Sequence, residues 1–146
     1  MHDVSRRMAL GGMLALAVVA PAAVAKEPVP LAIKGYDPVA YFTLGRPAPG
    51  LPELEFEWDE QRYRFASAEH QKMFQADPTR YAPQFSGVCV IALTRGEVDQ
   101  ANPEYWLVSD GKLYLFGKPV GPSLFQKDVA ENLAKANRHR PLVLKQ

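Results

Sequence analysis

The chain has almost no cysteine and no excess of charge of either sign. Cys89 is the only cysteine among 146 residues, so an internal disulfide is excluded and the fold must be stabilised by its core. The 17 lysines and arginines are balanced by 16 aspartates and glutamates, without a block of like charge. Nucleic acid and anionic membrane surfaces are therefore not predicted as partners.

The sequence also lacks an apolar run long enough for a membrane-spanning helix. The run from Met8 to Ala20 is interrupted by glycine and is shorter than the roughly 20 residues that a transmembrane helix needs. It follows two arginines and precedes the A-x-A pattern Ala23-Val24-Ala25, as in a signal peptide. We therefore predict a signal peptide over residues 1–25 and a single periplasmic domain over residues 26–146, without stable membrane insertion.

The arginine pair suggests an export route. Ser5-Arg6-Arg7-Met8-Ala9-Leu10 resembles a twin-arginine signal in its serine, paired arginines and leucine, whereas Ala9 and Gly11 depart from that pattern. A basic region for general secretion is the alternative. Removing residues 1–25 takes away two basic residues and one acidic residue, which leaves 15 of each and a net charge of zero.

Alternating aromatic and charged residues predict a β-hairpin followed by a helix. Leu54, Phe56 and Trp58 alternate with glutamates, and Tyr63 and Phe65 alternate with arginines, on either side of a turn at residues 59–61. One face of this hairpin should be aromatic and buried, and the other should carry paired opposite charges. Ser67 suits a helix N-cap, and the helix should run over residues 68–76 and end before Asp77-Pro78.

A second hairpin is predicted around Asp110-Gly111, between residues 105–108 and 112–116. The apolar run from Val88 to Leu93 predicts a buried strand. A final amphipathic helix should begin near Ser123, with Phe125, Val129 and Leu133 on its core face. No internal repeat is identified. The elements together predict an α+β fold, in which two helices pack on a small, mainly antiparallel sheet.

Several sequence blocks resemble the YHS domain family. Gly35 to Phe42, Tyr63 to Ser67 and Asp77 to Tyr81 carry the resemblance, and Tyr81 to Cys89 and Asp110 to Leu115 are similar to later signatures of its exported members. The blocks follow one another in the order typical of the family and cover most of residues 26–146. The resemblance implies the fold without supplying an activity.

The resemblance also implies a metal site, for which this chain lacks most ligands. Metal-binding members of the family carry cysteine thiols at the positions of Ala40, Ala66 and His70. Thiolates there could converge on a soft or borderline ion, but alanine offers no ligand atom. Only His70 could still coordinate a metal, and tight sites need three or four ligands. The family's metal site is therefore predicted to be lost.

His70, Met73 and Cys89 form an alternative set of soft ligands. His70 and Met73 lie one helical turn apart, and such a set suits copper, another transition metal or a haem iron. The competing interpretation makes Met73 and Cys89 core residues and His70 a half-buried polar residue. A thiol–imidazole pair of Cys89 with His70 or His139 would indicate an enzyme, but the residues around Cys89 carry no nucleophile elbow.

Tyr36, Asp37 and Tyr41 are the candidates for a small-ligand site, because aromatic residues beside a polar group can line a pocket. The alternative makes both tyrosines core residues and Asp37 a turn cap before Pro38. The sequence thus predicts an exported, non-enzymatic binding or accessory module of the YHS family. Its expected partner is a small molecule, a metal ion or another protein of the cell envelope.

Overall fold

The structure, a computed structural model, describes residues 11–144, and residues 11–30 contain no helix or strand. The arginine pair and most of the twin-arginine pattern lie outside the described residues. Within residues 11–144, no helix combines the length and the apolar character that crossing a bilayer requires.

The described residues form four strands and six α-helices, which follow one another in two similar series. The first half consists of a 3-10 turn (Ala32–Gly35), α1 (Ala40–Thr43), β1 (Leu51–Trp58), β2 (Gln61–Phe65), α2 (Ala68–Ala76) and α3 (Pro78–Tyr81). The second half consists of a 3-10 turn (Gln84–Gly87), α4 (Val90–Thr94), β3 (Asn102–Ser109), β4 (Lys112–Phe116), α5 (Gly121–Lys127) and α6 (Val129–Arg138), and a last 3-10 turn follows at Arg140–Leu142.

The predicted α+β class is confirmed, and both predicted hairpins are present. β1 pairs with β2 and β3 pairs with β4, each antiparallel, so the strands form two separate two-stranded sheets. The turns lie at Asp59–Glu60 and at Asp110–Gly111. The structure has more helices than the two that were predicted, because several are only one or two turns long.

The two halves repeat one arrangement at a spacing of 51 residues. β1 begins at Leu51 and β3 at Asn102, and the other three matching pairs from β2 to α6 keep the same spacing. The strand registers also match: Phe56 faces Tyr63 in one hairpin, and Leu107 faces Tyr114 in the other. Both hairpins have a register irregularity after their first pair. Two hairpins with the same register and the same flanking helices indicate an internal duplication.

The sequence carries a faint trace of this duplication. At a shift of 51 positions, identical residues coincide at Thr43/Thr94, Gly45/Gly96, Pro52/Pro103, Glu53/Glu104, Asp59/Asp110, Tyr63/Tyr114, Phe65/Phe116, Phe74/Phe125, Gln75/Gln126 and Asp77/Asp128. The prediction of no internal repeat was therefore wrong. The identities are scattered among unlike surface residues, because a fold constrains mainly its turn, cap and core positions.

Capping residues explain where the longer helices begin and break. The Ser67 hydroxyl accepts a hydrogen bond from the His70 backbone N–H at 3.1 Å, which confirms the predicted start of α2. Asp77 and Asp128 have almost the same extended backbone conformation, and each caps the helix that follows it. The single final helix predicted near Ser123 is therefore two helices, α5 and α6, separated at Asp128.

The strand predicted from Val88 to Leu93 was wrong, since this segment forms α4. A short apolar run is compatible with a buried strand or a buried helix, and periodicity alone does not distinguish them. The chain reaches α4 through Phe85 and Ser86, both at positive φ, followed by Gly87 at φ 76°. Glycine suits this left-handed position because it has no Cβ.

Each half has its own hydrophobic core, and a third cluster joins them. The first core contains Ala32, Val39, Tyr63, Phe65, Phe74, Tyr81 and Ala82. The second core contains Phe85, Cys89, Val90, Ala92, Leu93, Tyr114, Phe116, Phe125, Ala136 and Val143. A junction cluster of Tyr41, Ala101, Leu113 and Leu115 brings α1 of the first half against β3 and β4 of the second.

The first hairpin has the predicted pairs of opposite charges on its outer face. Glu55 and Glu57 face Arg64 and Arg62 in the register, and the closest ion pair joins Glu55 to Arg62 at 2.9 Å. Such half-exposed pairs contribute little to stability, typically about 0–1 kcal/mol each. The aromatic face of the hairpin, packed in the first core, therefore contributes most of its stability.

Stability should fall at alkaline pH because buried tyrosines resist ionisation. Burial raises the pKa of Tyr41, Tyr63 and Tyr114 above the ordinary value. Above about pH 10 the unfolded chain loses phenol protons that the folded chain keeps, so the free energy of unfolding falls. Urea titrations between about pH 9 and 11 should show a slope of up to about 1.4 kcal/mol per pH unit for each tyrosine. The Tyr63→Phe variant should show a shallower slope than the parent, and equal slopes would contradict the assignment.

Candidate functional site

Asp37 is fully buried and connects three segments of the first half. Its Oδ1 accepts hydrogen bonds from the backbone N–H groups of Val39, at 2.8 Å, and Ala40, at 3.4 Å. Its Oδ2 accepts from the backbone N–H of Ala66 at 2.9 Å and lies 2.5 Å from Nδ1 of His70. One carboxylate thus links the start of α1, the end of β2 and the side chain of α2.

Local sequence accounts for half of this arrangement. An aspartate before a proline can cap the backbone two residues further on, and the bond from Val39 agrees with the predicted role of Asp37 as a turn cap. The contact with His70 spans 33 residues of sequence and was not predicted. It arises because α2 begins directly after β2 and presents its first turn to the buried carboxylate.

The other ring nitrogen of His70 meets a hydroxyl that the sequence analysis did not identify. Nε2 of His70 lies 3.0 Å from Oγ1 of Thr43, the last residue of α1. Thr43 Oγ1 also lies 3.2 Å from the carbonyl oxygen of Val39, one turn earlier. The His70 side chain is 12% exposed and Thr43 is exposed. Asp37, His70 and Thr43 therefore form a hydrogen-bonded line from the core to the surface, which we call the Asp37 relay.

Tyr36 and Tyr41, predicted with Asp37 as ligand-binding residues, both bond to the second half of the chain. The Tyr41 hydroxyl is buried and donates to the carbonyl oxygen of Pro103 at 2.8 Å, while the ring packs against Trp106 at 5.2 Å. The Tyr36 hydroxyl donates to Glu104 at 3.0 Å, and this bond raises the pKa of Tyr36. Both tyrosines therefore help to hold the halves together.

The predicted soft-metal residues lie in different parts of the fold. Met73 packs against the first core, whereas Cys89 belongs to the second core. The ring nitrogens of His70 already contact Asp37 and Thr43. In the part of the chain that the structure describes, no group of three or more His, Cys, Asp and Glu side chains could hold a metal ion.

The residues at the family's metal positions do not fit a metal either. Ala40 and Ala66 contribute only backbone N–H groups, and both of these point to Asp37. A backbone N–H is a donor and cannot coordinate a cation. The space in which thiolates would meet is instead occupied by a carboxylate and an imidazole that bond to each other.

The second half has a cavity where the first half has the Asp37 relay. Cys89 N–H donates to the carbonyl oxygen of Asp99 at 2.9 Å, as Asp37 N–H donates to that of Ala48 at 2.8 Å. Cys89 is therefore the counterpart of Asp37. The 51-residue shift likewise makes Gly117 the counterpart of Ala66, Gly121 that of His70 and Thr94 that of Thr43.

This cavity, which we call the Cys89 cavity, has a volume of about 390 Å³. Two other described cavities are smaller, at about 250 and 160 Å³. A side chain at Gly117 would approach the cavity floor, since its Cβ would lie 3.7 Å from Sγ of Cys89. The lining combines apolar and polar side chains: Cys89, Ile91, Ala92, Arg95, Asp99, Gln100, Gly117, Lys118, Val120, Gly121 and Leu124.

Comparison of the chain with protein-family models, with curated proteins and with solved structures found no match. A function for this chain therefore has to be inferred from the chemistry of the Asp37 relay and the Cys89 cavity.

Proposed function

We propose that the protein is an exported, non-enzymatic binding module of the YHS type, which holds a small amphiphilic anion in the Cys89 cavity. The observation that carries this proposal is the cavity itself, about 390 Å³ in volume with an apolar floor and a polar rim. Export and the YHS type are supported by the sequence patterns described above.

The size and lining of the cavity favour a small organic ligand. Small-molecule sites usually measure about 300–1,000 Å³ and have mainly apolar walls with a few polar groups. Ile91, Val120 and Leu124 provide apolar surface, and the absent side chain of Gly117 keeps the floor open. Burying apolar ligand surface here would contribute roughly 25 cal/mol per Å² before the cost of association.

The charges at the rim favour an anionic group on the ligand. Arg95 and Lys118 are exposed at the rim, and Asp99 is the single acidic residue of the lining. Arg95 bonds to Glu97 at 3.0 Å, so part of its charge is already compensated. Lys118 is therefore the cation that we expect to attract a carboxylate or sulfonate.

The proposal is tested with anilinonaphthalene sulfonate, which combines fused apolar rings with one negative charge. We expect saturable binding to the folded protein, measured by the increase in probe fluorescence and by calorimetry. The Lys118→Glu variant should bind about tenfold more weakly, because a charge reversal near an exposed anion costs about 1–2 kcal/mol.

Lys112→Glu is the matched control, since it makes the same charge change at an exposed residue outside the cavity lining. It should leave the affinity within about twofold of the parent. Gly117→Ala adds a methyl group beside Cys89 and should weaken binding without a change of charge. Absence of saturable binding, or equal loss in the Lys118 and Lys112 variants, would refute the proposed site.

A further inference from the structure

We propose that the Asp37 relay makes Thr43 a nucleophile, which accepts an acyl group from an activated carboxylic ester. This chemistry lies outside the Cys89 cavity and goes beyond the non-covalent binding proposed above. It rests on the order of the three groups: a buried carboxylate, an imidazole and an exposed hydroxyl.

Asp37 fixes the orientation and the tautomer of the His70 ring. The carboxylate oxygens accept hydrogen bonds, so Nδ1, at 2.5 Å from Oδ2, is the ring nitrogen that donates. In the neutral imidazole the second nitrogen, Nε2, then carries a lone pair. That lone pair faces Thr43 Oγ1 at 3.0 Å, within the distance at which a general base takes a proton.

The backbone of the first half restricts the movement of these groups. The carboxylate of Asp37 also accepts the N–H groups of Val39 and Ala66, which come from two different segments. His70 lies in the first turn of α2, and Ser67 caps that turn. A carboxylate held in this way positions the imidazole, which is the role of the aspartate in Ser–His–Asp sites.

The hydroxyl is accessible to a reagent from solution. Thr43 is exposed, and the three residues that follow it, Leu44 to Arg46, are exposed as well. Asp37, in contrast, is fully buried and has no access to solvent. A small ester can therefore reach Oγ1 while the carboxylate stays away from water.

The second half of the chain shows that a threonine at this helix position needs no histidine. Thr94, the counterpart of Thr43, donates its hydroxyl to the carbonyl oxygen of Ile91 at 2.6 Å. Its half has Cys89 in place of Asp37 and Gly121 in place of His70. A helix-terminal hydroxyl is thus satisfied locally, and the imidazole beside Thr43 is an addition specific to the first half.

The reaction balances without a further reagent. Thr43 Oγ1 attacks the carbonyl carbon of the ester and forms a new C–O bond, while Nε2 of His70 takes the hydroxyl proton. The bond between the carbonyl carbon and the leaving oxygen then breaks, and the imidazolium returns the proton to that leaving group. The products are an ester at Thr43 and a free alcohol or phenol, and no group is oxidised or reduced.

The test uses p-nitrophenyl acetate with the full chain. We expect release of nitrophenolate, followed by absorbance, and an acetyl group on Thr43, located by peptide mass spectrometry. Thr43→Val keeps the shape of the side chain without its hydroxyl and should lose this adduct. His70→Gln should lower the rate of Thr43 acetylation by at least about 100-fold, the usual contribution of a general base.

Thr94→Val is the matched control and should leave acetylation of Thr43 unchanged, and Thr94 itself should remain free of acetate. Thr43→Ser should keep the reaction, since it keeps the hydroxyl. The proposal fails if Thr43 carries no acetyl group, or if its acetylation in the folded His70→Gln variant proceeds at the parental rate. It also fails if Thr94 is acetylated as fast as Thr43.

Discussion

Replacing Asp37 with alanine should lower the free energy of unfolding by about 3–5 kcal/mol, the range found when one partner of a buried charged pair is removed. The change leaves the N–H groups of Val39 and Ala66 and the Nδ1–H of His70 without their acceptor in a buried site. Each such orphaned donor costs about 1–3 kcal/mol. Urea denaturation followed by circular dichroism gives the difference.

Two substitutions make this measurement specific. Asp99→Ala removes an exposed carboxylate at the counterpart of Ala48 and should change stability by no more than about 0.5 kcal/mol. Asp37→Asn keeps one acceptor oxygen and should be intermediate, since its amide group would face a donor. A loss below about 1 kcal/mol for Asp37→Ala would mean that the carboxylate does not connect the three segments.

Phe74→Ala should destabilise the protein by a similar amount, about 3–5 kcal/mol, because it removes the centre of the first core. The Phe74 side chain is fully buried. Its ring contacts four other aromatic rings at centroid distances from 4.7 to 6.2 Å: Phe56, Trp58, Tyr63 and Phe65. The cavity left by alanine cannot be filled readily by rings that are attached to two paired strands.

The duplication supplies the comparison for this variant. Phe125 is the counterpart of Phe74 in the second core, so Phe125→Ala should cost a similar amount of stability. Only Phe74→Ala should alter the near-ultraviolet circular dichroism of Trp58, whose ring lies 6.1 Å from that of Phe74. Lys72→Ala, an exposed change on the same helix, should be nearly neutral. Equal stability of the Phe74 and Lys72 variants would contradict this account of the core.

Local signals in the sequence predicted those elements that depend on local chemistry. The hairpins follow from alternation and from Asp110-Gly111, and the start of α2 follows from Ser67. Asp128 was missed as a helix break because the sequence around it continues the helical pattern on both sides. The segment of α4 was misassigned because the handedness of its entry, set by Phe85 and Ser86 at positive φ, leaves no clear mark in residue type.

The sites were harder to predict than the fold. Asp37 and His70 were both singled out, but as members of different sites, since 33 residues separate them. Thr43 carries no signal that distinguishes it from any other threonine at the end of a helix. The Cys89 cavity depends on what Gly117 and Gly121 lack, and a missing side chain is visible only once its surroundings are known.

The repetition at 51 residues gives these differences an evolutionary meaning. A chain that contains the same unit twice begins with two equivalent sites, and only one of them must keep the original residues. The first unit retains a costly buried carboxylate with its imidazole, while the second has replaced both groups with cysteine and glycine. Duplication would thus have allowed one copy to maintain a polar centre while the other opened a space for a guest molecule.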